Sequence, residues 1–235
     1  MKKPALCIWI TLLSIAMGLF ECIVVIYLRK LYYPGGFRFP LAIADSDIIA
    51  FELLREAATL IILLSVGFIS GRSLAERFGW FIYSFAIWDI FYYIFLKILI
   101  GWPESWMTWD ILFLIPVTWI GPVIAPVINS VTMIILAWLI LEKKKCSNAV
   151  IINPFEWIFL ITGALIVITS YTIDYIQYIF RAFPLSYLTD PANLRQVTSF
   201  ACSYVPEHFP WWIFISGVLI HTGVLTSIGL RKFHK

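Results

Sequence analysis

The segment FAIWDIFYYIF, residues 85–95, indicates both where this chain resides and where its chemistry is to be sought. Ten of its eleven residues are apolar or aromatic, and the exception is Asp89. The surrounding apolar run, residues 78–100, is long enough for a helix that crosses the hydrocarbon core of a bilayer. A carboxylate at the centre of such a helix is costly and by default marks a functional site. Asp89 is therefore the first candidate.

The composition of the whole chain also indicates a membrane location. Of 235 residues, 61% are hydrophobic and 13% are charged. A soluble globular domain carries about 25% charged residues to cover its surface, so much of this protein's surface is not expected to meet water. The sequence predicts an integral, multi-pass protein of the cell membrane, with the lipid bilayer as its first partner.

Apolar runs of about 20 residues or more recur along the chain, and each suits one membrane-crossing helix. We predict an all-α, polytopic bundle of six transmembrane helices that forms a single domain over residues 1–235. The predicted spans are residues 5–28, 50–71, 78–100, 117–141, 156–180 and 211–230.

The charges that flank the spans predict their orientation, because basic residues accumulate on the cytoplasmic side. With the N-terminus inside, the inner flanks carry ten basic and three acidic residues, a net +7, whereas the rest of the chain holds seven basic and 11 acidic residues, a net −4. Both termini are therefore predicted to be cytoplasmic. The ten basic residues are Lys2, Lys3, Arg72, Arg77, Lys143, Lys144, Lys145, Arg231, Lys232 and Lys235.

The approach to the fourth span is unusual. Residues 101–130, GWPESWMTWDILFLIPVTWIGPVIAPVINS, contain Pro116, Pro122 and Pro126 within an otherwise apolar run. Proline removes a backbone donor and clashes with the preceding turn, so a straight helix through this run is not expected. We predict an interfacial or re-entrant segment over about residues 106–115, followed by a proline-broken fourth span. A simple kink without functional meaning is the alternative.

Polar residues at membrane depth form the candidate site. Asp89 and Asp174 occupy similar surroundings, DIFYYIF and DYIQYIF, in helices that run in the same direction. Such residues either form a proton or ion site or act as neutral hydrogen-bonding links between helices. For His221 alone, a hydrogen-bonded core histidine is the favoured interpretation. The candidates within the spans are Glu21, Asp89, Tyr93, Asn129, Asp174 and His221.

A second group of charges lies at the predicted outer mouth of the bundle. Glu52, Arg55 and Glu56 share one helix face, so Arg55 is expected to offset the repulsion between the two glutamates. A structural ion network and a ligand-binding role both remain open for them. His208 precedes the last span and places an imidazole at the same rim.

The sequence motifs of several enzyme and cofactor-binding classes are absent from this chain. The chain has no HExxH, GxSxG, P-loop or GxGxxG motif, and its four cysteines form no CxxC pair. Cys22 and Cys202 both fall toward the outer side and either pair or remain separate thiols. The basic residues are explained by membrane topology, so no nucleic-acid partner is predicted.

Three functions remain open, and the third is the least specific. In the first, buried carboxylates serve proton- or cation-linked transport of a small solute, and the short chain makes a homodimer possible. In the second, the protein is a membrane-embedded enzyme that acts on a lipid or lipid-linked substrate at the outer leaflet. A divalent cation is then a possible cofactor, since carboxylates suit such ions. In the third, it is an accessory membrane subunit.

Overall fold

The computed structural model describes residues 3–146, 152–188 and 190–231. Lys2, Lys232 and Lys235 of the charge count, together with His234, lie outside the described residues. The long helices are α1 (Lys3–Tyr32), α2 (Ser46–Ser70), α3 (Leu74–Ile100), α4 (Ile124–Cys146), α5 (Pro154–Ala182) and α8 (Trp211–Leu230). The short elements are strands β1 (Trp109–Phe113) and β2 (Trp119–Pro122), helices α6 (Leu185–Leu188) and α7 (Leu194–Cys202), and a 3-10 turn at Pro191–Asn193.

The six long helices of the described part are long and apolar enough to cross a membrane. They correspond one to one with the six predicted spans and begin or end within about seven residues of them. The predicted mostly helical, six-span architecture is confirmed at this level, and it is compatible with an integral multi-pass membrane protein.

Local sequence signals explain where the helices begin and end. The Ser73 side chain accepts a hydrogen bond from the Glu76 backbone N–H and so caps α3. Helix α5 begins with a capping box, in which the side chains of Asn153 and Glu156 satisfy each other's backbone donors. Helix α3 ends at Gly101, whose φ of +71° lies in the left-handed region that favours glycine.

The segment before the fourth span is a β-hairpin. Strands β1 and β2 pair antiparallel, with Asp110 opposite Gly121. Pro116 lies between the strands, Pro122 ends β2, and Pro126 falls in the first turn of α4. A proline in a first turn removes a donor that has no intrahelical partner anyway. The proline break predicted within the fourth span is therefore not confirmed: its helix begins at Ile124 rather than near residue 117.

Helix α3 lies at the centre of the bundle and packs against α1, α2 and α4, while α8 packs against α4 and α5. Two glycines allow close approach to α3. A Cβ at Gly18 would lie 2.8 Å from the Trp88 carbonyl oxygen, and one at Gly67 would lie 2.5 Å from the Arg77 carbonyl oxygen. These distances are too short for any side chain, so α1 and α2 approach the backbone of α3 through glycine.

The two ends of the bundle differ. Buried aliphatic side chains, among them Ile82, Ile140 and Ile228, fill the end where α3 and α5 begin and where α4 and α8 end. The hairpin occupies the opposite end, where Val123, Tyr171 and Ile120 belong to three buried clusters around it. We call this second end the hairpin end. It is also where the long connections after α1 and α5 lie.

Those two connections meet over the hairpin end. The Leu41 backbone N–H donates to the Cys202 carbonyl oxygen at 2.8 Å, so the first connection is joined to the end of α7. Cys22 is buried, Cys202 is partly buried, and both are free thiols. The alternative in which these two cysteines pair is therefore not the one that the structure adopts.

Candidate functional site

A cavity of about 470 Å³ opens within the hairpin end. Its walls come from α1, α2, α3, α4 and α5, from both strands of the hairpin, and from α7. Small-molecule sites in proteins occupy roughly 300–1,000 Å³, so this cavity has the size of a binding site for a small ligand.

Seven of the ten residues proposed from the sequence line this cavity: Glu21, Glu52, Arg55, Glu56, Asp89, Tyr93 and Asn129. Glu21 and Asp89 each lie eleven residues before the end of their helix, at Tyr32 and Ile100. At 1.5 Å per residue this places both carboxylates about 16 Å below the helix ends. The cavity therefore reaches from the mouth of the bundle to about 16 Å below the ends of α1 and α3.

Arg55 forms ion pairs with two of the carboxylates that line the cavity. Its Nη1 donates to Glu21 Oε1, and its Nε donates to Glu52 Oε2 at 2.8 Å. The pair with Glu21 joins α2 to α1, whereas the pair with Glu52 stays within α2. Charge-assisted hydrogen bonds of this kind are roughly twice as strong as neutral ones. The network predicted for Glu52, Arg55 and Glu56 is thus formed by Arg55 with Glu52 and with Glu21 of α1.

Glu56 has a different partner. It is 7% exposed, and both of its carboxylate oxygens accept from the Leu114 backbone N–H, at 3.1 and 2.9 Å. Leu114 directly follows β1 and its N–H is not part of the ladder with β2. Glu56 therefore attaches the hairpin to α2.

A second ion pair, Arg29 with Asp110, was missed by the sequence analysis. Arg29 Nη2 donates to Asp110 Oδ1 at 3.0 Å, and the Tyr93 hydroxyl donates to Asp110 Oδ2 at 3.2 Å. The Arg29 guanidinium also lies over the Trp102 ring, 3.7 Å from its centroid. This geometry is that of a cation–π contact. The pair joins the end of α1 to the hairpin.

Burial governs the protonation of Asp110, which lies in β1, outside the six long helices, and is 2% exposed. Loss of hydration raises the pKa of Asp110 to about 6, against the opposing effects of Arg29 and of the hydrogen bond from Tyr93. One sequence signal pointed to this residue. Asp110 is the only charge in the segment WDILFL, an isolated carboxylate among apolar residues like Asp89.

Asp89, like Glu56, forms no ion pair in the described part of the chain, and its hydrogen-bond partner is a side-chain hydroxyl. Its Oδ2 accepts from the Ser130 hydroxyl at 2.7 Å. Within residues 3–146, 152–188 and 190–231, no basic side chain forms an ion pair with it. Next to Ser130, Asn129 Nδ2 donates to the Tyr171 hydroxyl at 3.0 Å. Asp89 therefore faces the cavity at depth with only a hydroxyl to stabilise its charge.

Three of the proposed residues lie elsewhere. Asp174 is exposed and accepts a hydrogen bond from the Tyr204 hydroxyl, so the similar surroundings of Asp89 and Asp174 in the sequence do not bring them to one site. His221 Nε2 lies 3.1 Å from the Leu160 carbonyl oxygen at the α5–α8 contact, the core position favoured for it. His208 is exposed.

Three buried donors at the cavity have no acceptor among the described residues. They are Trp88 Nε1, Trp119 Nε1 and Arg29 Nη1, and all three residues line the cavity. Buried N–H groups in proteins are nearly always hydrogen-bonded. The three residues line the cavity, whereas these N–H atoms themselves are enclosed by the protein.

Among the described residues, no group of three or more histidine, cysteine, aspartate or glutamate side chains is arranged to hold a metal ion. A scan against protein-family models, a search of curated proteins and a search of solved structures each returned no match.

Proposed function

We propose that the protein is a carrier of the cell membrane that moves a small solute in a proton- or cation-linked manner, with Asp89 as the ion or proton site. The observation that carries this proposal is the state of Asp89: a carboxylate at membrane depth, open to a cavity, with a serine hydroxyl as its partner and no basic side chain paired with it in the described chain.

The charges around the cavity support this assignment. Five carboxylates line it, and two arginines offset part of their charge. Arg55 pairs with Glu21 and Glu52, and Arg29 pairs with Asp110. An ionised group at membrane depth is expensive unless it is neutralised, so Asp89 requires either a proton or a cation from solution. A group that alternates between these states is what ion-linked transport needs.

The distribution of basic residues supports an orientation in which both termini are cytoplasmic and the hairpin end faces outward. The cavity then opens outward, while the cluster around Ile82, Ile140 and Ile228 closes the cytoplasmic end. This arrangement corresponds to one of the two states that alternating access requires. The short chain favours a homodimer in the bilayer, which crosslinking in native membranes tests directly.

The alternative of a lipid-modifying enzyme at the outer leaflet has less support. Its chemistry would draw on an acid–base pair among the outer carboxylates and His208, or on a bound divalent cation. His208 is exposed and His221 is bonded to a backbone carbonyl, and neither lines the cavity. The carboxylates of the cavity are instead held by arginines, a hydroxyl and a backbone N–H.

Proteoliposomes that enclose a pH-sensitive dye and a dye for membrane potential provide the test. Gradients of H⁺, Na⁺, K⁺ and an organic ammonium ion are imposed in turn, and wild type is compared with Asp89→Asn and with Asp174→Asn, a matched carboxamide change outside the cavity. We expect wild type and Asp174→Asn to dissipate at least one gradient faster than protein-free vesicles, and Asp89→Asn to lose this activity. Equal flux through Asp89→Asn and wild type would falsify the proposal, as would wild-type flux equal to that of empty vesicles.

A further inference from the structure

We infer that the cation recognised at Asp89 is a small alkylated ammonium ion, the chemistry represented by choline. This inference rests on the proposed function in that it names the ligand of the same site. It is argued from the aromatic rings and the hydrogen bonds around Asp89.

Aromatic rings follow one another along the cavity wall beside Asp89. Phe85 lies one helical turn before Asp89 and stacks on Phe113 of β1, with 6.2 Å between ring centroids. The Phe113 ring is 5.4 Å from that of Trp119 in β2, and the Trp119 ring stacks on Tyr171 of α5 at 6.0 Å. All four rings belong to residues that line the cavity.

Two neighbouring residues of α4 connect the last ring of this row, Tyr171, to Asp89 by hydrogen bonds. The Tyr171 hydroxyl accepts from Asn129, and the next residue, Ser130, donates to Asp89. Trp88, the neighbour of Asp89 in α3, adds a ring 6.1 Å from that of Phe113. Asp89 and these five aromatic residues therefore line one cavity, which α3, the hairpin, α4 and α5 assemble.

This combination suits an organic cation better than an inorganic one. Hard ions such as Ca²⁺ and Mg²⁺ require about six oxygen ligands, usually with several carboxylates among them. No group of three or more histidine, cysteine, aspartate or glutamate side chains in the described part of the chain is arranged to hold a metal ion. The face of an aromatic ring attracts an alkylated ammonium group, which needs no coordination shell. The carboxylates of Glu21 and Glu52 add a negative potential that concentrates cations in the cavity.

Binding to the purified full-length protein in detergent tests this inference without any need for transport. Calorimetric titrations compare choline with its neutral carbon isostere, in which a tert-butyl group replaces the trimethylammonium group, and with tetramethylammonium, which lacks the hydroxyl group of choline. Asp89→Asn and the control Asp174→Asn are titrated with choline, and thermal unfolding verifies that each variant is folded.

We expect saturable choline binding by wild type and by Asp174→Asn, and at least tenfold weaker binding of choline by Asp89→Asn. The neutral isostere should bind about tenfold more weakly than choline, which corresponds to the loss of one good interaction. Tetramethylammonium keeps the alkylated charge and should still bind saturably. No choline binding, no tetramethylammonium binding, or equal binding of choline and the neutral isostere overturns the inference.

The two ligand comparisons use wild type alone, so a misfolded Asp89→Asn protein leaves the test intact. The outcome is also separable from that of the flux experiment. Choline binding without flux overturns the proposed carrier function but leaves the organic-cation site supported. Ion flux without choline binding overturns the organic-cation site but leaves the carrier function supported.

Discussion

Ser130 of α4 donates a hydrogen bond to Asp89 of α3, with 2.7 Å between Oγ and Oδ2. Ser130 is fully buried. The bond crosses the contact between the central helix and the helix that follows the hairpin. The position of the candidate ion site therefore depends on how α3 and α4 are rotated against each other.

The first prediction concerns this bond. Ser130→Ala should lower the free energy of unfolding by about 1 kcal/mol, the usual net contribution of one hydrogen bond, and should weaken choline binding. Ser84→Ala is the matched control, because Ser84 is equally buried but donates to the Phe81 carbonyl of its own helix. Thermal unfolding and titration of both variants provide the measurement. An effect of Ser84→Ala on binding as large as that of Ser130→Ala would contradict the assigned role.

The second prediction concerns Arg55. Arg55→Gln leaves Glu21 and Glu52 without their shared cation, and breaking a buried pair in this way is costly. Since these side chains keep 11–18% of their surface exposed, we expect a loss of about 2 kcal/mol in unfolding free energy rather than the larger values of fully buried pairs.

A double-mutant cycle checks this prediction. Adding Glu21→Gln to Arg55→Gln should recover part of the lost stability, because it removes one of the unpaired charges. Arg55→Lys retains the charge and should fall between wild type and Arg55→Gln. Additive effects of the two glutamine substitutions would show that Glu21 and Arg55 do not interact energetically.

The third prediction concerns pH and Asp110. Burial raises the pKa of this group from 3.8 to about 6, so the folded state holds a proton that the unfolded state has released between these values. The contribution of Asp110 to stability should therefore decrease as pH rises from about 3.8 to about 6 and stay constant above that range.

The corresponding measurement is the unfolding free energy of wild type minus that of Asp110→Asn, followed across this pH range. The difference should fall with rising pH, because the variant cannot titrate at this position. A difference that rises with pH would mean that the ion pair with Arg29 outweighs the loss of hydration at Asp110.

The fourth prediction concerns the contact between α5 and α8. A Cβ at Gly163 would lie 2.6 Å from His221 Nε2, so Gly163→Ala should destabilise the fold by about 1–3 kcal/mol through overpacking. Gly223→Ala, in the same helix as His221, meets nothing within 4 Å and should have little effect. Combining Gly163→Ala with His221→Ala should relieve the clash. Equal melting temperatures for the two glycine variants would count against this packing.

Much of the architecture could be predicted from local sequence. Each of the six long helices matches an apolar run, because the free energy of placing a helix in a bilayer depends chiefly on the composition of that run. The hairpin could not be predicted in this way. Residues 109–123 are as apolar as a span, and three prolines suggested a broken helix, whereas the backbone bonds are satisfied by pairing β1 with β2.

The candidate site, like the fold, could be predicted from the sequence only in part. Asp89 stands out from its sequence alone, since a charge in an apolar run is costly wherever the run packs. Only the tertiary structure brings Glu21 to Arg55 and Arg29 to Asp110, which are 34 and 81 residues apart, and only it separates Asp174 and His221 from the cavity. Composition determines whether a helix enters the membrane, but the rotation of each helix, set by close packing at residues such as Gly18 and Gly163, determines which side chains meet.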